Sequence, residues 1–191
     1  MLGPPSSETD DAWAELLQWF NIRLSEDELG EYRDNPGLVK LSDGTGYAGS
    51  LSTYHSLHCL KRLHHLLYFD EYYPGRTEMQ ANEIKWHGEH CLKILIQTVK
   101  CNPDLSLFPY QWTSDERIPI ALDVGHHQCY NWKRIDDWMK NRSFDIYAPG
   151  LVVHPVLALG VEAYDESTAN VTGIAYGDLL ADAIRNGEIE V

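Results

Sequence analysis

Positive charge is scarce in this chain: 15 lysines and arginines stand against 29 aspartates and glutamates, a formal net charge of −14 over 191 residues. A surface of that sign repels phosphate backbones and anionic lipids, which argues against nucleic acid as a partner, and it attracts cations, metal ions included. No apolar run approaches the roughly 18 residues that a membrane-spanning helix needs, and no signal peptide is visible. Several catalytic signatures are missing as well. There is no Gly-x-Ser-x-Gly elbow, no Walker-type phosphate loop and no Gly-x-Gly-x-x-Gly behind a strand. The zinc deaminase pattern, His-x-Glu with a later Pro-Cys-x-x-Cys, is absent too. Cysteine is sparse but even in number: Cys59, Cys91, Cys101 and Cys129. An oxidising compartment would allow three pairings among them. The hydrophobic content of 43% and six tryptophans suffice for one folded domain with a core.

What the chain does have is one pattern twice. His55-Ser56-Leu57-His58-Cys59 and His87-Gly88-Glu89-His90-Cys91 are both His-x-x-His-Cys, with every shared residue repeated after a 32-residue step. Two histidines three apart on a helix share a face. The periodicity predicts such helices over 50–68, with Leu57, Leu60, Leu63 and Leu67 as its core stripe, and over 83–99, with Ile84, Cys91, Leu95 and Val99. The short connector at 69–82, with Pro74-Gly75, favours antiparallel neighbours. Four imidazoles would then be aimed at one region.

Around this centre the expected fold is mainly α. A first helix capped by Thr9 or Asp10 carries Ala12, Trp13, Leu16, Leu17 and Phe20. A capping box at Ser25–Glu28 starts a second, ending before Asn35-Pro36-Gly37. Residues 38–47 hold turn chemistry for a loop or small hairpin. Phe108, Tyr110 and Trp112 either cover helix ends, the reading favoured, or wall a substrate site. A last helix carries Trp132, Ile135, Trp138 and Met139. Residues 151–161 are expected to be extended and 177–186 a short amphipathic helix. The domain division is 1–145 for a metal-binding domain and 146–191 for a loop-rich C-terminal extension packing on it.

His55, His58, His87 and His90 are the candidate metal ligands and together the candidate catalytic centre. His127, which precedes Cys129 and a helix much as the others do, is the candidate fifth. His65, seven residues after His58, is a reserve. His64, His126 and His154 are read as solvated. Imidazoles without a repeated carboxylate fit copper, one or two ions, or zinc, better than non-haem iron. Thiolates at Cys59 and Cys91 would instead make a structural His2Cys2 zinc site. An oxidising lumen favours a Cys59–Cys91 disulfide over that. Asn141-Arg142-Ser143 and Asn170-Val171-Thr172 are glycosylation sequons, so the expected location is the secretory lumen or outside the cell. The opening Met1-Leu2-Gly3-Pro4-Pro5 reads as a truncated start.

With those residues in view, the chain resembles the UstYa-like family of fungal secondary-metabolite proteins, once catalogued as a domain of unknown function. The resemblance spans roughly residues 3–142. It includes Gly3-Pro4-Pro5-Ser6 with Asp10-x-Ala12-Trp13, both His-x-x-His-Cys-Leu stretches, Tyr72-Tyr73, Cys101-x-x-Asp104, His127-x-Cys129, Ile135 and Trp138. It implies an oxidative tailoring enzyme with copper at the paired histidines. The implied substrate is a ribosomal peptide to be cyclised or a small metabolite to be hydroxylated or halogenated, with dioxygen or peroxide as oxidant. It also implies an N-terminal membrane anchor in the natural form, expected ahead of the truncated start. A homo- or hetero-dimer with a homologue fits pathways of this type. Two other classes compete: a structural zinc-binding interaction module, and a non-catalytic partner subunit of a homologous oxidase.

Overall fold

The computed structural model describes residues 3–153. The expectations for the rest of 151–161, for 177–186, for His154 and for Asn170 lie outside the described residues, as does most of the proposed C-terminal extension. Helices dominate: α1 (Ser7–Leu17), α2 (Ser52–Leu67), a short α3 (Phe69–Tyr72), α4 (Glu78–Cys101) and α5 (Trp132–Lys140). A 3-10 helix (Glu26–Tyr32) and two small antiparallel pairs complete the fold. The pairs are β1 (Ile22–Leu24) with β2 (Tyr47–Gly49), and β3 (Tyr110–Gln111) with β4 (Ile120–Ala121). The mainly α class expected from the patterning holds.

Local chemistry moves two helix starts. Ser6, not Thr9 or Asp10, caps α1: its hydroxyl accepts the Thr9 N–H at 3.1 Å. Helix α4 begins at Glu78 and not near Glu83, because Thr77 and Gln80 close a reciprocal capping box. Glu28 folds back onto the Ser25 N–H at 2.8 Å, as the sequence foretold, but the turn it starts is 3-10. The 38–47 segment forms a small turn closed by a Lys40–Tyr47 bridge, and the strand it feeds pairs with β1.

Ile22, Tyr54 and Met139 are the innermost side chains, with Leu17, Phe20, Leu51 and Ile135 among those packed on them. This core ties β1, the start of α2 and α5 together. The Tyr54 hydroxyl donates to Asp136 Oδ1 at 2.8 Å, and its ring stacks on Trp132. After α5 the chain returns to β1, where the Arg23 N–H donates to the Arg142 carbonyl at 2.9 Å. The residue after Tyr54 is His55, so the same packing fixes one end of the histidine face.

Helices α2 and α4 lie against each other, and their contacts run in opposite sequence directions. Ser56 Oγ meets Thr98 Oγ1 at 2.9 Å, the Cys59 and Cys91 thiols interact, and Leu63 and Leu66 stand over Gly88. A Cβ on Gly88 would lie 2.1 Å from Leu66 Cδ1, so glycine permits this close approach. Of the leucine stripe expected on α2, Leu63 reaches the seam at Gly88, whereas Leu60 and Leu67 do not. Tyr54, Ser56, Cys59 and His64 are buried there, while Leu60 and Leu67 are 46% and 81% exposed. On α4, Ile84 and Cys91 are buried as expected, but Val99 is exposed. Small residues at the seam let the helices approach, with Leu63 and Leu66 packed on Gly88 and Leu60 and Leu67 left at the flank. Phe108, Tyr110 and Trp112 are exposed.

Candidate metal centre

Four imidazoles close a ring across the α2–α4 seam. Within each helix the ring centroids of His55 and His58 are 6.3 Å apart and those of His87 and His90 6.1 Å. Across the seam His55 faces His90 at 5.9 Å and His58 faces His87 at 5.9 Å. The geometry follows from the i, i+3 spacing on two helices meeting in opposite directions. Phe20 leans on His58 at 5.5 Å and Trp86 stacks on His90 at 6.4 Å. Among the described residues no hydrogen bond engages the ring nitrogens of these four histidines.

The environment of His55, His58 and His87 disfavours their charged form. Burial, and then the Arg62 charge, push His58 down to about 3 and His87 down to about 4. Burial and His90 lower His55 as well. Neutral imidazole is the form that ligates a metal, so the protein has removed the competing proton.

The donor set fits a borderline metal such as copper or zinc. With a metal–nitrogen bond of about 2.1 Å, centroids of adjacent imidazoles round one tetrahedral ion stand roughly 5 Å apart. The observed ring is up to about an ångström wider on each edge. Accordingly, among the described residues no three His, Cys, Asp or Glu side chains converge tightly enough to chelate one ion in their present rotamers.

The cysteines stand apart from this donor set. All four thiols are free, which differs from the disulfide expected between Cys59 and Cys91. Those two are buried behind the histidines, and Cys91 donates to Cys59 across the seam. Burial raises both, Cys91 to about 12, and thiol–disulfide exchange and metal ligation alike need the thiolate that burial suppresses. Cys101 and Cys129 are exposed.

His127 is not brought to the ring by any contact. It sits in the exposed 102–131 loop, where Nδ1 meets Asp104 Oδ2 at 2.5 Å. Hydrogen bonds from Ser106, then from His127, hold the Asp104 carboxyl down at about 2. Asp104 belongs to the Cys101-x-x-Asp104 block, the one sequence signal that could have announced this pairing. His126 is exposed, as expected. His64, read as solvated, is buried instead: its Nε2 meets the Gly3 carbonyl at 2.7 Å and its ring packs on Trp13. His65 stacks on Tyr72 at 3.8 Å, away from the four-histidine face, and burial lowers it to about 4. Asn141 ends α5 and is exposed.

Two cavities matter to the site. One of about 500 Å³ lies on the first turns of α4, lined by Glu78, Met79, Asn82, Glu83 and Trp86, and Trp86 joins it to His90. The larger, about 830 Å³, lies in the loops around Asp104 and Cys129, away from the ring. The first is the nearer to the histidines, through the Trp86–His90 contact.

Residues 1–142 match the family described as mycotoxin biosynthesis protein UstYa. The chain is 29% identical over 158 residues to the UstYa family oxidase phomYd of Diaporthe leptostromiformis, covering 80% of this chain and 51% of that protein. It is 26% identical to the UstYa family oxidase aprY of Aspergillus flavus, covering 74% of this chain and 46% of the relative. With the UstYa family oxidase VicYb of Bipolaris victoriae the identity is 30%, over 49% of this chain and 80% of that protein. No solved structure matches. The chain thus spans about half the length of the first two relatives. The match over residues 1–142, which takes in both histidine pairs, shows that this chain belongs to the UstYa family of mycotoxin biosynthesis proteins.

Proposed function

We propose that the chain forms the metal-binding domain of an oxidative tailoring enzyme of fungal secondary metabolism, with one or two copper ions held by His55, His58, His87 and His90. The observation that carries this reading is the ring of four imidazoles whose nitrogens have no hydrogen-bonding partner among the described residues. The oxidase names of the relatives support it. Copper, when bound, supplies one-electron chemistry with dioxygen or peroxide.

The chain's own residues supply the rest. The α2–α4 seam holds two imidazoles on each helix at fixed separation, and Tyr54 anchors the His55 end. Phe20 shields one side of His58 from water. Trp86 offers an aromatic platform between the histidines and the cavity on α4, where a peptide or small metabolite would lie. The outcome, whether a cross-link, a hydroxyl or a halogen, is set by which substrate atom that wall presents. Asn141, exposed in a sequon, suits the secretory lumen, and a dimer with a homologue is compatible with the exposed side of α4. Zinc in a structural role is the competing metal, but the neutral, buried thiols speak against a His2Cys2 site.

The deciding experiment is metal content by mass spectrometry after copper loading and desalting, with a paramagnetic resonance spectrum of the same sample. Copper retained near stoichiometry, with nitrogen-rich Cu(II) hyperfine structure or a silent coupled pair, is expected. His58→Ala or His90→Ala should strip most of it. Unchanged copper in those variants sinks the assignment, and exchange-resistant zinc without a Cu(II) signal would establish the structural module instead.

A further inference from the structure

Arg62 stands one helical turn beyond His58, so His55, His58 and Arg62 share a face of α2 at i, i+3 and i+7. Its charge reaches His58 on its own helix and His87 across the seam, as well as Cys91. Yet Arg62 has no matching anion. Its Nε is buried without a hydrogen-bond partner, and Nη1 donates to the Tyr73 hydroxyl at a long 3.4 Å. No carboxylate forms an ion pair with it among the described residues.

A guanidinium is always charged and presents five N–H donors in a rigid fork. Burying part of it unpaired is costly. The groups its charge reaches include His58, His87, His65 and Lys61, none of them an anion. A metal cation bound at the ring would add to this uncompensated positive charge, and an anion seated beside Arg62 would offset both.

We propose that Arg62 is the anion-binding residue of this centre, its Nε–H and Nη donors holding a small monoanion beside the four-histidine ring. The inference rests on the metal-centre reading. The chemical class is a halide, azide or superoxide-like monoanion, and a substrate carboxylate shares the same recognition chemistry.

The test is a titration of the copper-loaded full chain with azide, followed by its charge-transfer absorption and by the Cu(II) resonance spectrum. Copper content is measured on the same samples. Arg62→Gln should weaken azide about tenfold or more, the loss of one charge-assisted hydrogen-bond donor group. Arg62→Lys keeps the charge but lacks the fork, and should weaken azide severalfold if the guanidinium donors do the holding. Equal affinity in the wild type and Arg62→Lys overturns the proposal, even if Arg62→Gln fails to fold. Equal affinity in Arg62→Gln with full copper content overturns it as well. A wild type that holds no copper overturns the metal-centre reading and this inference with it. Competition against azide separates the sources: displacement by chloride marks a halide-sized site, and displacement by N-acetylglycine at lower concentration marks a substrate carboxylate.

Discussion

At the scale of single residues, the centre is prepared by burial. His58 and His87, held at about 3 and about 4, stay neutral well below the ordinary histidine range. In the unfolded chain the same imidazoles titrate near about 6.5. Between that value and the folded ones the unfolded state binds more protons, so stability is lost as the pH falls through this window. The melting temperature of metal-free protein is therefore expected to decline from pH 7 towards pH 4, and His58→Gln should shrink that decline; a flat profile would contradict the burial argument. Tyr54 makes a second case. Its hydroxyl is buried and donates to Asp136, which together with burial raises its pKa. Tyr54→Phe removes that bond and should cost about 1–3 kcal/mol in denaturant unfolding, because the Asp136 carboxylate loses a partner.

At the scale of elements, the seam between α2 and α4 depends on what its residues lack. Ser56, Cys59, Gly88 and Cys91 are small enough to let the helices meet, which brings each His pair opposite the other. The β1–β2 pair depends on glycine in the same way. Gly46 has φ +133°, and a Cβ there would lie 2.4 Å from the Leu24 carbonyl oxygen. Gly46→Ala should lower the unfolding midpoint by about 2 kcal/mol of stability without changing the denaturant slope, combining backbone strain with a clash that no side-chain rotation relieves.

At the scale of the whole molecule, much of α4 and of the 102–130 loop turns apolar side chains outward among the described residues, Trp86, Ile96, Leu107 and Trp112 included. Any ligand that binds the folded state alone stabilises it. Free copper at a hundredfold excess over its dissociation constant should stabilise the fold by about 2.7 kcal/mol, read as a rise in melting temperature. The His58→Ala variant should show no such rise. An equal rise in both would place the metal elsewhere.

The helical class, the two His-x-x-His-Cys helices and the candidate ligands were legible in the sequence because periodicity and residue spacing are local properties. Residues three apart on a helix share a face whatever surrounds them, so His55 with His58, and His87 with His90, needed no tertiary information. Which residues form the seam was another matter. Hydrophobicity nominated Leu60 and Leu67, but the close approach of two backbones is governed by side-chain volume on both partners at once, and that favoured Ser56, Cys59, Gly88 and Cys91. The fate of the remaining histidines was equally non-local: His127 meets Asp104 across a loop, His64 is buried under the N-terminal segment, and His65 stacks on Tyr72. Sequence alone determined which side chains could serve a metal. Only the packing of α2 against α4 decided that four of them form one ring with Arg62 beside it, because burial and the sum of neighbouring charges exist only once the chain has folded.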